Sequence, residues 1–128
     1  MKRRRFITAS ALLGCVGFGF GMRPKKKQLL HHVFFWLKNP NSEADKQELL
    51  LGLKTLEAIP VVRQFHIGLL ASTEPREVVD TSWQVSELLY FDNEVDQKVY
   101  QDHPIHQAFV KNYSQLWQKV VVYDMVEV

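Results

Sequence analysis

The chain has 128 residues, of which 46% are hydrophobic and 23% are charged, with one cysteine and a formal net charge of +2. This length and composition fit one globular domain, and a single cysteine excludes an intramolecular disulfide and any multi-cysteine zinc or iron–sulfur site. Residues 1–27 hold eight of the 16 basic side chains and none of the 14 acidic ones, so residues 28–128 carry a net charge of −6. A body that is acidic and has no basic stripe argues against nucleic acid as a partner.

The N-terminal segment is predicted to direct export rather than to join the fold. Arg3 and Arg4 precede an apolar run from Phe6 to Met22, an arrangement that resembles the twin-arginine export signal of bacteria. Cys15 follows a leucine- and glycine-containing stretch that resembles a lipoprotein-processing box. The alternatives are cleavage after Gly21, with Cys15 as an ordinary apolar residue, and an uncleaved anchor. We therefore expect the body to work in the periplasm and to meet the membrane only through this segment.

The body begins with a predicted strand and helix. The segment from Leu29 to Leu37 is rich in β-branched and aromatic residues. This pattern predicts a strand that is covered on both faces. Ser42 stands three residues before Asp45, the spacing of a capping box, and predicts a helix through about Ile59, where Pro60 stops it.

The remaining elements follow from alternation, capping residues and proline. In chain order they are a strand at Val61–Leu70, a polar loop at Ala71–Thr81, a strand at Ser82–Phe91, a helix at Glu94–Asp102 capped by Asn93, a helix from Pro104 to about Trp117, and a strand at Val120–Val128. The order β-α-β-β-α-α-β predicts an α+β fold, in which helices cover one face of an antiparallel sheet.

The first and last strands are apolar on both faces, although helices cover only one face of the predicted sheet. A monomer would leave the other face to water, and apolar patches of that size usually mark an interface. We therefore predict a homodimer whose two sheets face each other.

Several short motifs resemble the stress-responsive α/β-barrel (Dabb) domain family over about residues 29 to 127. They are the histidine-containing first strand ending in Leu37-Lys38, Ile59-Pro60-Val61, Phe65-x-Ile67-Gly68, Tyr90-Phe91-Asp92, the block from Tyr100 through His103-Pro104-Ile105-His106 to Phe109, and the closing segment from Trp117 to Asp124. The resemblance implies a ferredoxin-like fold and a homodimer that forms a dimeric α/β barrel. Some members of this family are induced by stress, and a plant branch cyclises polyketides without a cofactor.

The resemblance also implies roles for individual residues. The base of the plant cyclases corresponds to His106, their carbonyl-orienting tyrosine to Tyr100, and a histidine on their first strand to His31. A further pocket histidine on the third strand has no counterpart, because Val85-Ser86-Glu87 stands there.

The residues themselves point to the same chemistry. A buried histidine with a pKa near 6.5 is suited to act as a general base at neutral pH, and Tyr100 beside His106 would hold a carbonyl oxygen. His31 and His32 point to opposite faces of a strand, so at most one of them faces a cavity between the sheets, and His31 is the better candidate. Alternatively, these histidines have only structural roles. They would then form hydrogen bonds within the core or, in the case of His103, cap a helix.

Other candidate residues favour structural roles. We expect a structural role for His66. Glu87 lies on a face that resembles a core, and we expect it to form an ion pair at an interface rather than to act as a base in a cavity. His31, His103 and His106 lack the ligand spacing of a metal site, so we expect no metal and no cofactor.

Two functions remain open from the sequence. The first is an exported protein that binds a small hydrophobic or aromatic molecule, with cofactor-independent acid/base chemistry at His106, Tyr100 and His31. The second is a non-catalytic stress-response or envelope dimer, whose apolar sheet face serves only to dimerise.

Overall fold

The computed structural model describes residues 26–128, which form a four-stranded antiparallel sheet with helices on one face. The elements are β1 (Leu29–Leu37), α1 (Glu43–Lys54), β2 (Gln64–Gly68), β3 (Val85–Phe91), α2 (Glu94–Asp102), α3 (Pro104–Tyr113) and β4 (Trp117–Val126), with 3-10 turns at Thr55–Ala58 and Ser114–Leu116. This confirms the predicted α+β order of elements. The predictions for Arg3, Arg4 and Cys15 lie outside the described residues. Within residues 26–128, every helix is too short or too polar to cross a membrane.

The strand order is β2-β3-β1-β4, so β1 lies in the middle of the sheet and β4 forms one edge. The register places His31 opposite Leu89 of β3 and Asp124 of β4. Every second residue of β1, starting at Leu29, is buried against the helices, because successive side chains of a strand point to opposite faces. The fully buried leucines of α1, Leu49 and Leu53, close this core from the other side.

The opposite face of the sheet carries no helix among the described residues. Its side chains come from alternate positions of the strands and include Leu30, His32, Phe34, Trp36, Leu88, Tyr90, Val121, Tyr123 and Met125. Tyr123 is 65% exposed and Met125 is 53% exposed, which leaves a broad apolar and aromatic surface in contact with solvent.

Helix ends follow the capping residues, with one correction. The Ser42 side chain accepts a hydrogen bond from the Asp45 backbone N–H at 3.1 Å, as the capping box predicts. The helix predicted through Ile59 ends instead at Lys54, and the chain continues as the tighter Thr55–Ala58 turn. The Thr55 hydroxyl bonds the Gly52 carbonyl at 2.7 Å, competing with the α-helical ladder at this point.

The second, third and last strands have ends that differ from the predicted ones. The second strand is confined to Gln64–Gly68, the stretch that pairs with β3, and the third strand to Val85–Phe91, the stretch that pairs with β1. The last helix ends at Tyr113, and β4 begins earlier than predicted because Trp117 pairs with Leu37 across a bulge in the ladder.

Candidate functional site

A cavity of about 220 Å³ lies between the sheet and the helical layer of a single chain. Its lining residues are His31, Val33 and Phe35 from β1, Glu87 from β3, Gln101 from α2, His106, Phe109 and Val110 from α3, and Trp117, Val120 and Val122 from β4. Val110, Val120 and Val122 are partly exposed, so the cavity opens between α3 and the edge strand β4. The sequence predicts a cavity between two sheets. That placement was wrong, because the face that carries His31 packs against the helices.

The corner between α2 and α3 positions Tyr100 and His106. The His103 backbone N–H donates to the Tyr100 carbonyl at 3.1 Å and closes α2, and its Nδ1 accepts from the Ile105 N–H at 3.0 Å and opens α3. Pro104 holds the first position of α3, where its fixed φ favours the helix. The Tyr100 and His106 rings thereby meet with their centroids 4.8 Å apart.

His31 is held in the cavity by a carboxylate from the neighbouring strand. Its Nδ1 lies 2.6 Å from Asp124 Oδ1, and the His31 side chain is 7% exposed whereas that of Asp124 is 49% exposed. Because a carboxylate only accepts hydrogen bonds, Nδ1 is the donor in this contact. The His31 and Tyr100 rings lie 5.7 Å apart, so the structure brings the three predicted site residues together.

Glu87 is a buried carboxyl group in the cavity wall. It is 3% exposed, and the Tyr100 hydroxyl donates to its Oε1 at 3.5 Å, the outer limit of a hydrogen bond. Its Oε2 has no hydrogen-bond partner among residues 26–128. Burial raises the pKa of Glu87 to about 8, and the hydrogen bond from Tyr100 opposes that shift only in part. The carboxyl group is therefore neutral at pH 7.

The environment also changes the proton affinities of the two rings next to Glu87. Burial lowers the pKa of His106, as does the nearby His31, while a hydrogen bond to the Gln101 backbone works in the opposite direction. Burial raises the pKa of Tyr100 well above its ordinary value, and the neighbouring Glu87 adds to the shift. At neutral pH, His106 is thus a neutral ring that is able to accept a proton, and Tyr100 is a hydrogen-bond donor.

Comparison with known proteins agrees with this architecture. The family model of the Stress responsive A/B Barrel Domain, Dabb, matches residues 29–127. The chain belongs to the Dabb family. A Dabb protein of ferredoxin-like fold from Mesorhizobium loti is 25% identical with a TM-score of 0.66, over 80% of this chain and 98% of that chain. The predicted ferredoxin-like fold is thereby confirmed.

Two further solved structures widen the comparison. A dimeric ferredoxin-like protein of unknown function from Bacteroides fragilis is 26% identical with a TM-score of 0.60, over 77% of this chain and 94% of that chain. Hydroxynitrile lyase from Passiflora edulis is 17% identical with a TM-score of 0.66, over 81% of this chain and 96% of that chain, which shows a shared fold. No curated protein matches the chain.

Several candidate residues of this Dabb protein lie away from the cavity or have a structural role. His103 is occupied as the cap of α3, and His66 is an exposed residue that bonds Gln64 at 3.2 Å. His32 is on the open face of the sheet, with its ring 4.3 Å from that of Phe34. Within residues 26–128, no group of three or more His, Cys, Asp or Glu residues is arranged to hold a metal ion. A larger, shallower groove of about 670 Å³ on the outer side of α2 is lined by none of the three predicted site residues.

Sequence reasoning missed Asp124 and misjudged Glu87 in this Dabb domain. Asp124 is a lone acid in a strand otherwise rich in valine, and its importance emerges only from the register that sets it opposite His31. Glu87 was assigned first to an ion pair at an interface. The structure corrects this, because Glu87 lies on the helix-covered face and joins no ion pair among the described residues.

Proposed function

We propose that this Dabb protein binds a small hydrophobic or aromatic molecule in the cavity and performs cofactor-independent acid/base chemistry on it. The observation that carries the proposal is a largely apolar cavity with two histidines and a buried carboxyl group in its wall. An apolar cavity of about 150 Å³ in another protein holds benzene. About 220 Å³ therefore suits one substituted aromatic ring.

The arrangement of side chains suits removal of a proton next to a carbonyl group. A base for this step must be unprotonated at working pH and within reach of the ligand. His106 lies at the cavity wall, and its lowered pKa keeps its ring unprotonated. In the proposed step, His106 takes the proton while the carbonyl oxygen gains negative charge. The proton on His106 then exchanges with solvent, and His106 returns a proton to the carbon or the oxygen. Asp124 keeps the ring of His31 in a fixed orientation beside this reaction. The hydroxynitrile lyase with the same fold is an analogy at the level of fold only.

Deuterium exchange tests this proposal directly. Acetophenone in D₂O is expected to exchange its methyl protons faster with the wild-type protein than with His106→Ala, by at least about a hundredfold, since a positioned base contributes that much. His66→Ala removes an exposed histidine and is the matched control. Equal exchange rates for wild type and His106→Ala would rule out His106 as the base. If acetophenone neither binds nor exchanges, the second candidate, a non-catalytic stress-response or envelope dimer, replaces the enzyme.

We also propose that the protein is a homodimer formed through the open face of the sheet. Support comes from the exposed apolar and aromatic side chains of that face, and from the related Bacteroides fragilis protein, which is dimeric. An apolar surface of this kind gains free energy when a second copy covers it.

Export through Arg3 and Arg4 remains a proposal that rests on the sequence of the N-terminal segment. Replacing both arginines by lysine is expected to retain the full-length protein in the cytoplasm of a bacterial host. The intact mass of the wild-type protein distinguishes a lipid on Cys15, cleavage after Gly21 and an uncleaved anchor. Export that is unchanged by the double substitution would contradict the twin-arginine assignment.

A further inference from the structure

Glu87 has a polar atom for which the fold supplies no partner. The side chain is almost completely buried and lines the cavity, and its Oε2 accepts or donates no hydrogen bond within residues 26–128. A buried polar group left unpaired costs about 1–3 kcal/mol, so such groups normally have a partner. Because Glu87 is part of the cavity wall, a polar atom of a ligand in the cavity is the available partner for this oxygen.

Burial favours the protonated form of Glu87, although the hydrogen bond from Tyr100 works against it. Tyr100 contacts Glu87 from α2. His106 from α3 and His31 from β1, which is paired with Asp124, line the same cavity and lie against the Tyr100 ring. The neighbouring residue on β2 is the apolar Ile67. No lysine or arginine among the described residues forms an ion pair with Glu87. Burying a carboxylate without a cation costs more than keeping its proton, and the raised pKa of about 8 agrees with this.

The hydrogen bond from Tyr100 decides which oxygen of Glu87 carries the proton. The Tyr100 hydroxyl donates to Oε1, which therefore acts as an acceptor. A protonated carboxyl group has one donor, so the proton is on Oε2, the oxygen without a partner. Tyr100 itself does not line the cavity, whereas Glu87 does.

We propose that Glu87 is the hydrogen-bond donor of the cavity, and that the ligand is an uncharged aromatic compound whose carbonyl oxygen accepts this bond from Oε2. This inference rests on the proposed function and adds the chemical class of the ligand. A carboxylate ligand would have to leave water for a cavity whose wall has no lysine or arginine, so we expect anionic analogues to bind more weakly than the neutral ketone. The family resemblance implies that Tyr100 orients the carbonyl group of the ligand. In this proposal Glu87 does so instead, and Tyr100 is a positioning residue that orients the carboxyl group of Glu87.

Three probes of similar shape test the donor. Acetophenone carries the carbonyl oxygen, α-methylstyrene replaces that oxygen by a CH₂ group, and benzoate carries a negative charge. Their dissociation constants are measured by titration calorimetry on the wild-type protein, Glu87→Gln and Glu87→Leu. The preference for acetophenone over α-methylstyrene is compared between variants, which cancels the difference between the two probes in hydration.

The wild type is expected to prefer acetophenone about tenfold more strongly than Glu87→Leu does, because leucine has no donor. Glu87→Gln keeps an N–H donor at the same position and is expected to retain the preference. Between about pH 7 and pH 9 the affinity of the wild type for acetophenone falls as the donor proton is lost, whereas that of Glu87→Gln stays constant. The comparison with Glu87→Gln remains decisive even if Glu87→Leu does not fold.

Each contrary outcome has a distinct meaning. An identical preference in wild type and Glu87→Leu would show that Glu87 is not the donor, while binding itself would still support the proposed function. Tighter binding of benzoate than of acetophenone at pH 7 would overturn the neutral-ligand class. If no probe binds the wild type, both this inference and the proposed function fail.

Discussion

Replacing Glu87 by glutamine is expected to stabilise the folded protein more and more as the pH rises from about 4.5 to about 8. Burial raises the pKa of Glu87 in the folded protein from 4.5 to about 8. Between these values the folded state keeps a proton that the unfolded state releases. The free energy of unfolding of the wild type therefore falls with rising pH, and glutamine, which does not titrate, removes this loss.

The expected size of the effect follows from the same pKa. Each unit of pKa difference corresponds to about 1.4 kcal/mol, so the stability gained by Glu87→Gln grows to roughly 5 kcal/mol by pH 8 and then levels off. Small domains have a total stability of about 5–15 kcal/mol. A buried carboxyl group thus removes a large fraction of the stability at slightly alkaline pH.

Urea unfolding at fixed protein concentration, followed by fluorescence of the three tryptophans, measures this difference at several pH values between 5 and 9. Fixed concentration matters because dimerisation adds to apparent stability. Titration of His106 affects both proteins alike and cancels in the difference. Glu48→Gln, at an exposed position of α1, is the matched control and is expected to give a curve parallel to the wild type.

The reasoning fails if the wild-type and Glu87→Gln curves run parallel over this range. That result would mean that Glu87 is already ionised in the folded protein at neutral pH. The cavity would then contain a carboxylate, which accepts hydrogen bonds only, and the donor role of Glu87 would have to be abandoned.

Two further predictions concern the surfaces of the helical layer and the sheet. Phe34→Glu on the open face is expected to lower the molar mass measured by light scattering from that of a dimer to that of a monomer. Leu51→Glu, at a position of α1 that is 61% exposed, is the control and is expected to leave the mass unchanged. A Phe34→Glu protein that is still dimeric would exclude the sheet face as the interface. Gly52→Ala is expected to destabilise the protein by about 1–3 kcal/mol in urea unfolding, because the new Cβ would lie 2.7 Å from the Tyr113 ring. Gly68→Ala, whose Cβ would meet only Ser86 Oγ at 3.4 Å, is the control, and equal stability of the two variants would contradict the close packing of α1 against α3.

Much of the fold was predictable because its signals are local. The alternation of β1, the Ser42 cap and the His103-Pro104 corner each act within a few residues, and the structure has all three. The ends of the second strand were not predictable, since the apolar alternation continues from Val61 to Leu70 while the partner strand does not.

The candidate site was predictable only in part, because the contact of His31 with Asp124 and the side of the sheet that holds the cavity depend on long-range packing. Tyr100 and His106 follow from one short block of sequence, and the family resemblance added His31. The contact of His31 with Asp124 depends on the β1–β4 register, which bridges 93 positions of the chain. The side of the sheet on which the cavity lies depends on where the helices pack, and both faces of β1 are apolar enough to allow either answer.

The site thus combines interactions of very different range along the chain. The α2–α3 corner places Tyr100 beside His106 through contacts within a single supersecondary unit, which forms early when folding favours local contacts. The contact between His31 and Asp124 joins residues that are separated by most of the domain. It forms only when the central strand β1 and the edge strand β4 have paired. The cavity wall includes residues of β1, β3 and β4 as well as α3, so the cavity exists only when the sheet is complete. A ligand that binds only the folded state would therefore stabilise the whole sheet.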